Sequence, residues 1–230
     1  MREELTHCPA CLKKDTSFYQ SVKDFSTSKE IFDIWSCGHC SHLFTNPRVK
    51  EDLVGPYYDN PDYISHTDDD TSVFAKVYQF LREINLNWKH GHVQKYAEGK
   101  SLLDYGCGTG QFMQKMASKG YEVQGVEINE GAREKASKFG SVYSAISEVK
   151  DRVDAITMWH VLEHVYNLDE LLQAFKSKLK YNGTLLIAVP NPESHDAQHY
   201  GVHWAAWDIP IHVHHFTKKS MKTVLERNGF

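Results

Sequence analysis

Apolar residues recur along this chain with two different periods. Between residues 72 and 97 they stand at Val73, Phe74, Val77, Phe80, Leu81 and Ile84, the spacing of a helix face, which predicts one or two helices. From Ser101 the rhythm becomes strand, helix, strand, helix. SLLDY reads as a strand, QFMQKMASKG as a helix closed by Gly120, YEVQGVEI as a strand, and NEGAREKASKFG as a helix closed by Gly140. SVYSAI, VDAITMWH and TLLIAVP supply three more strands, with a helix from about Leu168 to Lys180 before the last and another beginning near Lys218. Such alternation predicts a mostly parallel sheet covered by helices on both faces, with ligands at the carboxyl ends of its strands. The first fifty residues differ. Short alternating stretches such as Ile31, Phe32, Ile34 and Trp35 predict small strands, and residues 46–70, rich in Pro, Asp and Tyr, predict an ordered linker or lid. The expected organisation is a small module over 1–50, a tyrosine-rich linker with a helical lid over 51–97, and an α/β domain over 98–230.

Composition narrows the function classes. The 230 residues, 41% hydrophobic and 24% charged, suffice for one sizeable core and a small appendage. A formal charge of -4, with seven Lys/Arg against six Asp/Glu in residues 1–50, leaves no basic stripe and argues against nucleic acid as a partner. The charged start does not read as a secretory signal, and the longest apolar run, Leu185 to Pro190, is too short to span a bilayer; a cytoplasmic protein with no membrane partner is expected. Four of the five cysteines form two CxxC pairs, CPAC and CGHC, with 25 residues between them. In a reducing compartment that spacing points to Cys8, Cys11, Cys37 and Cys40 as thiolate ligands of one structural zinc in a ribbon-like module, with His7, His39 and His42 as alternative donors.

The fifth cysteine lies in LLDYGCGTG, where Gly106, Gly108 and Gly110 follow an apolar run. A dinucleotide turn needs its third glycine at 111, which is Gln, and a Walker-type loop needs a GK(S/T) that does not follow. A nucleoside without a phosphate, or a plain tight turn, remains. LDYGCGTGQF resembles the first motif of the class I S-adenosylmethionine-dependent methyltransferases. The resemblance runs from about residue 100 to the end and includes DAITMWHVLEHV and LDELLQAFKSKLKYNGTLLIAVPN in the family's order. It implies a Rossmann-like methyltransferase sheet with S-adenosylmethionine as methyl donor. It further implies that Glu127, 21 residues after Gly106, binds the ribose hydroxyls, and that Asp104 orients the loop and meets the cofactor's amino group. Tyr105, Gly106, Gly108, Gly110, Phe112, Ile128, Trp159 and His160 complete the implied cofactor site, with Ser147 or Glu148 toward the adenine. The family sheet ends in a strand pair after its last helix, so a domain truncated at its C-terminus is expected.

Two histidine groups carry the remaining chemistry. HVLEH contains HxxEH (His160, Glu163, His164), a nominal inverted zinc-protease motif that here follows a strand instead of lying on a long helix. The same spacing resembles the divalent-metal site of quinone-biosynthesis O-methyltransferases, with His160 where that family has Glu; alternatively, Glu163 and His164 only hydrogen-bond the loop. After the fifth strand, His203, His212, His214 and His215 stand beside Trp204 and Trp207. Sugar C-methyltransferases with an N-terminal zinc module are similar, placing a histidine before a Phe-Ser pair as His212 precedes Phe216 and Thr217, and a tyrosine stretch like Tyr57, Tyr58 and Tyr63. Their glutamate before that histidine is Ile211 here. His212 is the expected base, with His160 and His164 as further catalytic candidates. The expected activity is methyl transfer to an oxygen or carbon of a small-molecule or sugar-like acceptor; the alternatives are a zinc-ribbon ribosomal RNA methyltransferase and a cofactor-binding scaffold without turnover.

Overall fold

The computed structural model describes residues 1–58 and 73–230, with the backbone alone for 73–78. Tyr63 and most of the expected linker lie outside the described residues. The chain forms two units, one of Met1–His66, His160–Leu172 and Val189–Phe230, the other of Thr67–Trp159 and Gln173–Ala188. Packing therefore divides the chain differently from the sequential modules 1–50, 51–97 and 98–230.

In the first unit β1 (Arg2–Glu3) pairs antiparallel with β5 (Arg48–Val49), while β2 (Thr16–Lys23), β3 (Ile31–Cys37) and β4 (Leu43–Thr45) form a sheet that β11 (His214–His215) extends in the order β11-β4-β3-β2. The alternation noted at Phe32 and Ile34 places both on the inner face, fully buried with Val22, Leu43, Val49, Trp207 and Ile209. The Asp24 carboxylate closes the β2–β3 hairpin by accepting the backbone N–H groups of Ser26, Thr27 and Ser28. Burial, the largest single effect, pushes its pKa up, but those bonds together with the Ser26 and Ser28 hydroxyls outweigh it and hold the carboxyl below the ordinary value. Beyond the sheet lie a short helix α5 (His195–Tyr200) and the C-terminal helix α6 (Lys218–Arg227), which begins with a capping box between Thr217 and Ser220. At its far end Arg227 Nε donates to the Ala10 carbonyl at 3.0 Å, and Nη1 pairs with Asp169.

The second unit contains the expected parallel sheet, in the order β10-β9-β6-β7-β8. Its strands are β6 (Ser101–Tyr105), β7 (Glu122–Val126), β8 (Ser141–Tyr143), β9 (Val153–Trp159) and β10 (Leu179–Ala188). Central strands β6 and β9 are almost continuously buried, as befits strands covered on both faces. One helix, α1 (Val73–Tyr96), precedes the sheet; α2 (Gln111–Ser118) and α3 (Glu130–Ala136) link its strands. Met113 and Met116 of α2 are fully buried among Leu102, Val123 and Ala155. Helix α4 (Leu168–Lys178) buries Leu168, Leu171, Leu172 and Phe175 at helical spacing. It runs straight into β10, where the turn expected at Asn182–Gly183 is an irregularity within the strand: Leu179 pairs with Val153 and Thr184 with Ala155, with Asn182 left-handed between them. SVYSAI is a strand only to Tyr143, because Ile146–Glu148 tightens into a single helical turn. Among the described residues of 191–230 the one strand is β11, in the other sheet, and no helix is long and apolar enough to cross a membrane.

Candidate functional site

Strand β6 ends in a turn whose Gly106, Gly108 and Gly110 all have positive φ, at 73°, 54° and 81°. These angles suit glycine, but the two later positions use it differently. A Cβ on Gly110 would lie 2.8 Å from Ala136 Cα, so this glycine lets α2 start against α3. A Cβ on Gly108 would meet nothing within 4 Å among the described residues, so the fold itself has no need of that space. Beside it, Glu127 at the end of β7 accepts the Gly108 N–H through Oε2 and the Asn129 N–H through Oε1, each at 2.9 Å. Both oxygens keep lone pairs for further donors. Ile128, the next residue, is 83% exposed despite its apolar side chain.

Asp104 stands behind the turn. The β6–β9 register sets it opposite Thr157, whose hydroxyl donates to Oδ1 at 2.7 Å. Burial pushes its carboxyl up to about 7; the Thr157 bond and the Lys89 ammonium pull it down, and the Glu127 charge pushes it up. Lys89, lowered by its own burial, sits 5.0 Å from the centre of the Trp159 ring. Trp159 packs edge-on to the buried Phe112, and its indole N–H has no hydrogen-bond partner among the described residues. Tyr105 packs edge-on to Phe175. Of the two candidates for the adenine, Ser147 is exposed and Glu148 is engaged by Ser144 of its own turn. Open backbone, a carboxylate with spare acceptors, a buried acid and an unsatisfied indole donor together suit a nucleoside carrying an amine. Thr157 and Lys89 escape the sequence reading; the one signal for Thr157 is a polar residue inside a strand that is otherwise buried.

In the first unit the HxxEH stretch leaves β9 with His160 left-handed (φ 59°), exposed and turned outward, while Glu163 and His164 fall in a tight helical turn. Glu163 is 1% exposed, and neither carboxylate oxygen has a hydrogen-bond partner among the described residues. One ligand atom from each of Glu163, His164 and His212 lies within 4.8 Å of the others, which joins the two histidine groups of the sequence. His164 Nδ1 is 3.1 Å from both the Ile211 carbonyl and the Tyr58 hydroxyl, and His212 Nδ1 is 3.0 Å from the Ala206 carbonyl. A carbonyl can only accept, so each neutral ring carries its proton on Nδ1 and presents a bare Nε2. Burial lowers both rings, His212 to about 3, so they are neutral at physiological pH. Asp208, missed by sequence reading, brings Oδ2 to 3.9 Å from His212 Nε2. Burial pushes this acid up to about 6, aided by the charges of Asp24 and Glu163.

The four cysteines of the CxxC pairs converge as expected. Cys8 and Cys40 Sγ atoms are 3.6 Å apart, and those of Cys11 and Cys37 3.5 Å, as free thiols. Four sulfurs on one tetrahedral zinc would be separated by about 3.8 Å, given Zn–S bonds of about 2.3 Å. Donor type, number and spacing thus fit a closed zinc site.

Comparison with known proteins bears on this architecture. The profile of a family described as "Methyltransferase domain" matches residues 78–230. A ubiquinone biosynthesis O-methyltransferase of Stutzerimonas stutzeri is 26% identical over 155 residues, 60% of this chain and 66% of that protein. The chain thus spans just under two thirds of that relative's length. A SAM-dependent methyltransferase from Archaeoglobus fulgidus superposes with a TM-score of 0.54 at 26% identity, over 65% of this chain and 69% of that one. The magnesium protoporphyrin IX methyltransferase of Synechocystis PCC 6803 with bound SAH shares the fold, with a TM-score of 0.53 at 15% identity over 71% of this chain and 80% of that one.

Proposed function

Because this chain belongs to the methyltransferase domain family, we propose that it transfers a methyl group from S-adenosylmethionine to an oxygen or carbon atom of a small-molecule or sugar-like acceptor. The observation that carries the reading is the space kept free at Gly108 beside the Glu127 carboxylate. In this reading Glu127 takes the two ribose hydroxyls as charge-assisted donors, Ile128 covers the base, and Asp104 takes the amino group. The Trp159 indole N–H faces the same ligand. S-adenosylmethionine supplies a methyl group on a cationic sulfur, a good leaving group, so the protein's contribution is mainly to hold the reactants in line. Where the acceptor is protonated, His160, His164 and His212 are this chain's candidate bases. The name of the S. stutzeri relative supports oxygen on a small molecule as the first class of acceptor to test. The four cysteines hold one structural zinc in the same proposal, which rests on their spacing.

Calorimetry with S-adenosylhomocysteine on the intact chain is the primary test. Micromolar binding is expected, weakened about 10- to 150-fold by Glu127→Gln, since a hydrogen bond to a charged group contributes about 1.5–3 kcal/mol. No heat from folded protein would sink the proposal. Radiolabelled methyl transfer to a panel of phenols, catechols and nucleotide sugars would then identify the acceptor class, and binding without any transfer would favour the scaffold.

A further inference from the structure

We infer that Glu163, Asp208, His164 and His212 form a recognition site for a primary ammonium group, so that the acceptor is an amine-bearing molecule. The inference rests on the methyltransferase reading only in calling that ligand the acceptor; the site itself lies wholly within the first unit. What carries it is that four polar side chains meet there as hydrogen-bond acceptors only. Glu163 is 1% exposed, and neither of its oxygens has a hydrogen-bond partner among the described residues. His164 and His212 each commit their Nδ1–H to a backbone carbonyl, Ile211 and Ala206 respectively, which turns both Nε2 atoms into acceptors. Asp208 brings Oδ2 to 3.9 Å from His212 Nε2, and among the described residues no hydrogen bond reaches its carboxylate. A buried carboxylate in such company is costly unless a donor arrives from outside the protein.

The imbalance is one of charge as well as of hydrogen bonding. The charged groups bearing on Asp208 are Asp24 and Glu163, both acidic, and those bearing on His212 are Glu163 and the rings of His164 and His215; no Lys or Arg is among them. Among the described residues the basic side chain nearest Glu163 is His160, whose Nδ1 is 3.7 Å from Oε1 and whose side chain is 62% exposed. Neutral hydroxyls would occupy the lone pairs but leave two carboxylates without a counter-charge, whereas an ammonium brings three donors and a positive charge together. The dimensions suit it. Acceptors at about 2.8 Å from a tetrahedral nitrogen stand about 4.6 Å apart, and one side-chain atom from each of Glu163, His164 and His212 lies within 4.8 Å of the others. The Asp208 side chain, 28% exposed, marks the open side of the cluster.

The test needs no cofactor. The zinc-loaded full chain, isotope-labelled in its histidine rings, is titrated with tyramine and with 4-ethylphenol, then with glucosamine and with glucose, while the Nε2 resonances of His164 and His212 are followed by nuclear magnetic resonance. In each pair the amine should saturate the shift at about 10- to 150-fold lower concentration than its neutral partner, the range that one charge-assisted hydrogen bond spans. Glu163→Gln, which keeps the side-chain shape, and Asp208→Asn should each reduce that preference to about twofold or less. Asp196→Asn, which alters an exposed acid of the same unit, should leave it unchanged. Near-ultraviolet circular dichroism verifies that each variant is folded; if Glu163→Gln is not, Asp208→Asn carries the test. Equal response to amine and neutral partner, or no response to any of the four probes, would overturn the inference, as would an undiminished preference in the folded Glu163→Gln and Asp208→Asn variants or an equal loss in Asp196→Asn. A parallel titration with Mg²⁺ that moves both Nε2 resonances where the amines do not would overturn it in favour of a metal ion. Calorimetry with S-adenosylhomocysteine on the same sample keeps two failures apart: a chain that binds it without preferring amines refutes this inference alone, and one that prefers amines without binding it refutes the methyltransferase reading alone.

Discussion

Gly108 and Gly110 share a left-handed backbone two residues apart, yet alanine at each should fail in a different way. At Gly110 the new methyl would sit 2.8 Å from Ala136 Cα, 2.9 Å from Ala136 Cβ and 3.0 Å from Phe139 Cδ2. A backbone atom cannot swing aside, so overpacking of about 1–3 kcal/mol adds to about 1–2 kcal/mol for an L-residue at φ 81°. Gly110→Ala should therefore lose about 2–5 kcal/mol. At Gly108 only the conformational part applies, because a Cβ there meets no described residue within 4 Å. That limits the loss to about 1–2 kcal/mol. With about 2–4 °C of melting temperature per kcal/mol for a chain of this size, Gly108→Ala should melt about 2–8 °C below the parent and Gly110→Ala distinctly lower.

Ligand affinity should reverse the order of damage. If the free space at Gly108 exists for S-adenosylmethionine, a methyl group there collides with the ligand, and the same 1–3 kcal/mol of overpacking becomes a loss of about 5- to 150-fold in affinity for S-adenosylhomocysteine. Gly110→Ala, assayed below its melting transition, should bind within a few-fold of the parent. Scanning fluorimetry and calorimetry on the two purified variants decide the matter. Should Gly108→Ala bind the ligand as well as the parent, the space beside Glu127 is not where the cofactor lies, and the functional reading loses its main support.

Three further outcomes are expected. Asp104 is held at about 7 by burial, against Thr157 and Lys89 and with Glu127. If its ionised form meets the cofactor's amino group, affinity for S-adenosylhomocysteine should rise up to about tenfold per pH unit from pH 5.5 and level off above 7, and Asp104→Asn should flatten that profile; the same raised pKa means that this acid's effect on stability becomes less favourable as pH climbs from about 4 to 7. Titrating the thiols with an organomercurial should release one zinc per chain, and Cys8→Ser should retain less than half an equivalent; loss of order over residues 1–50 should follow by hydrogen exchange, since structural zinc contributes on the order of 10 kcal/mol or more to such modules. Arg227→Ala removes the donor to the Ala10 carbonyl and the Asp169 pair, and should cost about 1–3 kcal/mol while speeding hydrogen exchange around Cys8–Cys11.

What the sequence made legible follows from locality. The strand-helix rhythm after Ser101 depends on spacings of a few residues and on glycines where helices stop, and both are visible along the chain; so are CPAC and CGHC, whose ligands are neighbours by construction. Asp104's surroundings are of another kind. Thr157 reaches it through the parallel register of β6 and β9, 53 residues apart, and Lys89 from the helix before the sheet. The grouping of residues 160–172 and 189–230 with the N-terminal strands was equally hidden, since it rests on β11 pairing with β4, His214 opposite Phe44.

The run HVHHF shows how one residue type can serve different purposes, and why only hydrogen bonds separate them. His214 uses both ring nitrogens, Nδ1 toward His42 Nε2 at 3.1 Å and Nε2 toward the Val165 carbonyl at 2.9 Å, and His42 reaches Ser220 Oγ with its other nitrogen at 3.4 Å. A carbonyl at one end sets the direction of that chain: His214 donates from Nε2, so its Nδ1 must accept from His42 Nε2, which leaves His42 Nδ1 an acceptor 3.4 Å from a Ser220 hydroxyl that also donates to the Thr217 carbonyl. Both rings are thereby used up as buried structural connectors between β4, β11 and α6. His212, two residues before His214, engages a carbonyl through Nδ1 at 3.0 Å, and its Nε2 stands 3.9 Å from Asp208 Oδ2, beyond hydrogen-bond distance. Sequence spacing treats these histidines alike, whereas the number of ring nitrogens already committed separates a connector from a ring with a nitrogen to spare. By that criterion His212 and His164 are the chemically available pair in this cluster.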